Sequence, residues 1–422
     1  MAYVLKDLIA ISKDGEWGKG EPFDESVEMI VVRGTDFGDV RFGDTLTTPR
    51  RHIPKHIAER KKLQPWDVII EVAGGTKNQI TGRTVLLRPH LFSCSELPLT
   101  CASFSRFIRF NTELCDPEFM FWYLQHLYAA GAMHAYHTQH TGVARFQWTT
   151  FSEREPLKIP VLAAQRRIAG ILSAYDELIE NSQRRIGILE AMARALYREW
   201  FVHFRFPGHE NCPRVASPLG EIPKEWEVKS VESFCTLVTR GVTPKYETGS
   251  GRFIINQKVN RGTELSLGDL KELEIALEVP PEKFARFGDV LVNCLGEGTI
   301  GRVHFYSETH RDWAVDQHMS ICRAAKTSSA LYIYFTLESE EGQGRIASLK
   351  TGGTNMTMFN ISALRSFALV SPPENLLARF ADLALPMLRQ KQALTELNRN
   401  LRRARDLLLP RLLSGQIDVE AA

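Results

Sequence analysis

The sequence predicts an α+β fold built twice: two globular domains separated by two long antiparallel coiled-coil helices, related by a pseudo-two-fold internal repeat. Three observations carry this. "WDVIIEVAGGTKNQITGRTVLL" near residue 67 returns near residue 289 as "GDVLVNCLGEGTIGRVHF", so that Asp67-Val68-Ile69-Ile70 matches Asp289-Val290-Leu291-Val292 and Gly82-Arg83 matches Gly301-Arg302. "TGVARFQWTTFS" from Thr141 corresponds without a gap to "TGGTNMTMFNIS" from Thr351. Each copy then runs through a short apolar strand ending in proline ("LKIP", "FALVSPP") into a long helical stretch. A period of this size decides the fold before any single element does.

The first element, residues 1–160, is a globular domain whose apolar run at Val68–Ile70 reads as a buried strand. The matching strand of the second domain leads into Gly296, Gly298 and Gly301, at the G-x-G-x-x-G spacing of a dinucleotide fingerprint. That fingerprint needs a helix directly after its last glycine, so that the helix N-terminus faces the phosphates. The next residues, "RVHFYSETH", read instead as another strand. The first copy carries three extra residues in the turn and has lost the spacing. A phosphate cradle would not survive that change, whereas a hairpin tip tolerates it. The glycines therefore serve a turn.

The second element, residues 161–208, is a helix. Ile168, Leu172, Tyr175, Ile179, Ser182, Ile186, Leu189, Ala193, Leu196 and Trp200 alternate spacings of four and three, a heptad seam with Ser182 its polar member. "FPGHENCPRVASPLGEIP" is the Pro/Gly-rich linker into the second globular domain, residues 209–373. The last element, residues 374–422, is a second helix with Leu383, Met387, Gln390, Leu394, Leu397, Leu401, Ala404 and Leu408 on the same rule. Pro386 is expected to start or kink it and Pro410 to disturb its last turn. One helix leaves the first domain and the other leaves the second, so pairing them makes them antiparallel. A helix of about 38 residues makes a rod of roughly 57 Å, a length suited to spanning DNA half-sites.

At 422 residues with 44% hydrophobic and 24% charged residues, the chain is large enough for two to three domains with their own cores. It lacks an apolar run of membrane-spanning length and the basic start of a signal peptide, so a cytoplasmic protein is expected. Seven scattered cysteines without a C-x-x-C pair fit reduced thiols and argue against a zinc ribbon.

Enzymatic readings fail on residue type. A P-D…E-x-K nuclease needs a lysine after Glu71, but Ala73 stands there and Asn293 replaces the glutamate in the second copy. An amino-methyltransferase needs an N-P-P-Y or D-P-P-Y loop and a glycine-rich cofactor turn, and the chain carries neither. His134, His137 and His140 drift round a helix and lack a fourth ligand, so no metal is expected. No catalytic residue and no cofactor of this chain's own is assigned.

A net charge of +2 does not announce a nucleic-acid binder. Local composition does more. "PRRHIPKHIAERKK" sets Arg50, Arg51 and Lys55 among further cations against one acid, Glu59. "TRGVTPKY" and "NQKVNRGT" combine Arg240, Lys245, Lys258 and Arg261 with base-capable amides in glycine-rich loops. Lys77, Arg83 and Arg145 in the first domain, with Arg302 and Asn355 in the second, complete the candidate DNA contacts. Lys258 is favoured for a phosphate role.

The stretch "QRRIAGILSAYDELIENSQRRIGILEAMARALYREWFVHFRFPG" resembles the central conserved helix of the specificity (S) subunits of type I restriction–modification enzymes, and "LTELNRNLRRARDLLLPRLLSGQI" resembles their C-terminal conserved helix. The resemblance covers essentially the whole chain, and departs from the pattern where Leu377 stands opposite Gln165. It implies a non-catalytic scaffold in which each target-recognition domain grips one half of a split sequence in double-stranded DNA. Two modification (M) methyltransferase subunits carrying S-adenosylmethionine would dock on the helices. Restriction (R) subunits using ATP and Mg would join them. By the same resemblance Tyr197, Trp200, Phe201, Leu409 and Leu412 are expected at the M-binding surface. The S subunit of a fused restriction–methylation system and a self-sufficient DNA methyltransferase are the alternatives.

Overall fold

A computed structural model describes residues 2–74, 79–139, 143–210, 212–296, 298–309, 311–351 and 357–419. The chain forms two compact units, 1–181 with 398–422 and 182–397, so both long helices contribute to both units. This division cuts across the sequence segments, because each globular part recruits helix from both.

In unit 1, strands β1 (Ile9–Asp14), β7 (Ser105–Phe110), β4 (Val68–Glu71) and β5 (Thr84–Leu86) form an antiparallel sheet in the order β1-β7-β4-β5. Strands β3 (Arg50–Pro54), β2 (Ser26–Val32) and β6 (Leu99–Cys101) form a second sheet, with β2 antiparallel to β3 and parallel to β6. All four residues of β4 are buried, Val68, Ile69 and Ile70 as β-branched residues and Glu71 through its pair with Arg83. Helix α1 (Pro117–Ala129) starts on Asp116, whose carboxylate accepts from the Phe119 amide at 2.9 Å, with proline in the first turn.

Unit 2 repeats this design. Strands β8 (Cys235–Arg240), β14 (Met319–Ala324), β11 (Val290–Asn293) and β12 (Val303–Phe305) pair antiparallel in the order β8-β14-β11-β12. Strands β10 (Lys271–Glu272), β9 (Phe253–Ile255) and β13 (Ala314–Val315) form the smaller sheet, again with one antiparallel and one parallel neighbour for the middle strand. Helix α3 (Thr327–Glu338) stands where α1 stands. The glycine turn is followed by β12, a strand, and so belongs to a hairpin; Gly296, Gly298 and Gly301 all take positive φ.

The long helices are α2 (Leu162–Tyr197), which passes into a π-helical turn at Arg198–Val202, and α4 (Glu374–Leu413). In unit 1, Arg167 of α2 donates to the Val419 carbonyl at 3.2 Å, and Asp176 pairs with Arg405 of α4, so the two segments run antiparallel. In unit 2, Glu190 of α2 pairs with Lys391 of α4 at 2.6 Å while Trp200 packs on Phe380, the same sense. The α2 seam lies where its pattern predicts, with Ile168, Leu172, Ile179, Ser182 and Ala193 all buried.

The α4 seam does so only in part: Leu394 is buried as its pattern predicts. Leu383 and Leu397 are 47% and 46% exposed, whereas Ala384, Lys391 and Asn398 are buried, so on either side of Leu394 the buried stripe sits one residue later. Lys391 tolerates burial because Glu190 and the Thr263 carbonyl receive its ammonium. Pro386 neither starts nor ends the helix, which begins twelve residues earlier at Glu374 and runs through both prolines.

The repeat also needs one correction. Arg145 pairs with Ala73, and Met358 bridges Leu295, while the amides of Phe146 and Phe359 donate to the Val72 and Cys294 carbonyls. Phe146 therefore corresponds to Phe359, three residues away from the gapless match. The correspondence of Gly82-Arg83 with Gly301-Arg302 holds: Glu71 and Asn293 amides donate to the Arg83 and Arg302 carbonyls, each at 2.9 Å.

Candidate nucleic-acid interface

An ion pair fixes the frame of each domain. In unit 1 the Arg109 guanidinium donates to both Asp67 carboxylate oxygens, at 2.8 and 2.7 Å, and the Gln64 amide donates to the same group at 2.7 Å. In unit 2 Arg323 meets Asp289 at 2.8 and 2.7 Å, and the Arg286 amide takes the place of Gln64 at 2.8 Å. Bidentate geometry locks the start of β4 to β7 and of β11 to β14. Asp67 is fully buried, and that burial raises its carboxyl above the ordinary value while Arg109 opposes the rise. Asp67 is thus a structural anchor, and Glu71 is bound to Arg83 at 2.9 and 2.8 Å.

Beyond this anchor, three segments of unit 1 converge. The Val72 and Ala73 amides donate to the Phe104 carbonyl at 2.9 and 3.0 Å, and the strand Ala144–Phe146 pairs alongside Ala73–Gly74. They enclose an open recess of about 700 Å³ lined by Phe104, Arg106, Arg145, Gln147, Trp148 and Thr149 among others. Arg106 is held in its wall by Asp14 at 2.6 Å and lies over the Trp148 ring at 5.4 Å. Arg145 and Gln147 are exposed. Cation, amide and exposed ring surface in one concavity suit a polyanion with aromatic bases.

Of the sequence candidates among the described residues, only Arg145 lines this recess. Arg50 and Lys55 are exposed on and beside β3, and Arg51 stacks on Trp17 at 4.3 Å. Arg83 is committed to Glu71, which holds its guanidinium and raises its pKa. In unit 2, Lys258 is exposed with its amide capped by Asn256 at 2.8 Å. Arg261 pairs with Asp269 at 2.7 Å and Lys245 approaches Glu274 at 3.9 Å. Arg302 donates to the Asn260 and Gly298 carbonyls at 3.3 and 3.2 Å, closing the hairpin, and Arg240 is half-buried in β8. Lys77 and Asn355 lie outside the described residues.

Phe104, Gln147 and Trp148 carry no charge, so a search of the sequence for cations passes over them. The exposure of Phe104 becomes visible only once its turn is placed. No group of three or more metal-ligating side chains occurs among the described residues, and the His137 ring contacts the Thr81 hydroxyl at 3.0 Å. His140 falls outside them. No described helix is long and apolar enough to cross a membrane.

Tyr197, Trp200 and Phe201 are buried in the core of unit 2, where Phe201 packs on Tyr332 and Phe380 at 5.0 Å each and the Tyr197 hydroxyl bonds Thr336 at 3.0 Å. Leu409 and Leu412 belong to the core of unit 1. Their side chains are used inside the fold of their own units. Exposed apolar neighbours lie on the same helices: Leu178 and Leu407 in unit 1, and Ile188, Met192, Leu383 and Leu397 in unit 2.

No protein-family model matches the sequence. The chain is 25% identical over 309 residues to the type I restriction enzyme MjaIX specificity subunit of Methanocaldococcus jannaschii, covering 71% of this chain and 69% of that one. It is 21% identical over 320 residues to the HindI specificity subunit of Haemophilus influenzae, covering 62% and 69%. In fold it matches the type I restriction–modification S subunit of M. genitalium with a TM-score of 0.59 at 12% identity, over 98% of this chain and 95% of that one. The duplicated α+β domains with two long helices are the architecture that this S subunit shares. In sequence and in fold the chain is similar to the specificity subunits of type I restriction–modification systems.

Proposed function

We propose that this chain reads a bipartite site in double-stranded DNA, one domain per half-site, and holds two M subunits that methylate one adenine on each strand. The observation that carries this is the repeat itself: strand order, parallel and antiparallel senses and the Asp–Arg anchor recur, while Glu71 and Phe104 of unit 1 give way to Asn293 and His318 in unit 2. Two copies of one scaffold with different faces suit two halves of an unsymmetrical site. The exposed leucines, isoleucine and methionine of α2 and α4 are the surface offered to the M subunits. S-adenosylmethionine, and the ATP and Mg of R subunits, belong on those partners.

Methylome sequencing of a host expressing this chain with its M partner tests the reading. A two-part methylated motif is expected, and replacing residues 209–373 with another such domain should alter one half only. Both halves changing together would overturn the modular assignment. Inserting four residues after Gln183 should keep both halves but change their spacing, or abolish binding, since it lengthens a helix by about 6 Å.

A further inference from the structure

The repeat places Phe104 and His318 at one and the same position of its two copies. Phe104 follows β6 and precedes β7; His318 follows β13 and precedes β14. The Phe104 carbonyl accepts from Val72 and Ala73 at 2.9 and 3.0 Å, and the His318 carbonyl accepts from Cys294 and Leu295 at 2.8 and 3.2 Å. Backbone position is therefore fixed twice by the same pair of bonds, and the side chain is what varies.

Folding gives no reason for a phenylalanine there. Its side chain is 60% exposed and forgoes most of the roughly 1.5–3 kcal/mol that burial of such a ring provides. It stands at the recess beside Arg145 and Gln147, the groups that would meet phosphate and base edges. His318 is tethered differently. The buried Asp316 carboxylate lies 2.8 Å from its Nδ1. The same carboxylate accepts from the His318 amide at 2.8 Å, so Nδ1 faces Asp316 and Nε2 is the ring nitrogen left to meet a base. The neighbouring Gln317 is held by the Thr243 hydroxyl at 2.7 Å.

We infer that this position reads a base in each half-site, with Phe104 contacting the C5-methyl of a thymine and His318 Nε2 accepting from the exocyclic amine of an adenine or cytosine. This rests on the DNA-reading function proposed above and adds which positions read and what base chemistry each selects.

The test uses the full chain assembled with its M partner and a duplex library with a randomised tract, comparing wild type, Phe104→Ala and His318→Ala. Phe104→Ala should relax one position of one half-site by roughly 5- to 150-fold. His318→Ala should relax one position of the other half. Deoxyuridine in place of the thymine read by Phe104 should weaken the wild type and leave Phe104→Ala unchanged. Unchanged motifs for both variants would overturn the inference, as would an equal loss on all sequences, which marks a phosphate contact. If wild type itself selects no two-part motif, the DNA-reading function fails as well, which separates the two outcomes.

Discussion

Unit 1 and unit 2 are the same construction with different working faces. Both lock the strand before the hairpin with a bidentate arginine, at distances that agree to within 0.1 Å. Both need a glycine after the first strand of the larger sheet, since a Cβ on Gly15 would lie 2.1 Å from the Cys101 carbonyl oxygen and one on Gly241 1.9 Å from that of Val315. They differ at the hairpin and at the turn that leads into the second strand of the larger sheet. Glu71 with Arg83 becomes Asn293, which bonds Asn260 at 2.9 Å, and the exposed Phe104 becomes His318. A scaffold held by buried, directional contacts is free to change side chains that point elsewhere.

The largest expected effect tests the shared anchor. Arg109→Ala leaves Asp67 buried and unpaired, and Arg323→Ala does the same to Asp289. Each should cost about 3–5 kcal/mol. Hydrogen exchange resolved by unit should show each variant loosening its own unit, by similar amounts.

The next effect separates the units by pH. His304 of β12 is buried against the Gly262 carbonyl at 2.8 Å, and burial pushes its pKa down to about 4 from the ordinary 6.5. The equivalent residue in unit 1 is Val85, buried and non-titrating. The unfolded ring takes a proton near 6.5 and the folded one only near 4. Stability from this group is therefore complete above the unfolded value and is lost as pH falls through the folded one, on the order of 3 kcal/mol. Denaturant titrations at descending pH should show that loss in the native protein, and His304→Val should remove it.

Gly15→Ala and Gly241→Ala should each destabilise by about 1–3 kcal/mol, because the added methyl meets backbone that cannot move aside. Calorimetry on both variants checks that the two units respond alike. The smallest effect is electrostatic. Lys258 feels Asp269 only at longer range, whereas Arg261 pairs with it directly at 2.7 Å. Lys258→Ala should weaken DNA binding on all sequences and reduce the slope of log affinity against log salt by about 0.9. Arg261→Ala should reduce it less.

The sequence by itself determined the duplication, the α+β class, the hairpin use of the glycines and the α2 seam. These come from local periodicity and from matched strings, which need no knowledge of distant contacts. Tertiary structure decided the rest. Counting apolar residues put Leu383 and Leu397 in the α4 seam, but Lys391 and Asn398 occupy it, since a charge with a partner such as Glu190 can be buried and a pattern cannot announce the partner. Asp176 is likewise hidden between Arg41 and Arg405, residues far from it in the chain. Arg83 and Arg302 read as free cations until Glu71 and two carbonyls claimed them. The equivalence of Phe104 with His318, two residues with no chemistry in common, exists only in the bonds their carbonyls accept, because hydrogen bonding of the main chain is indifferent to the side chain it carries.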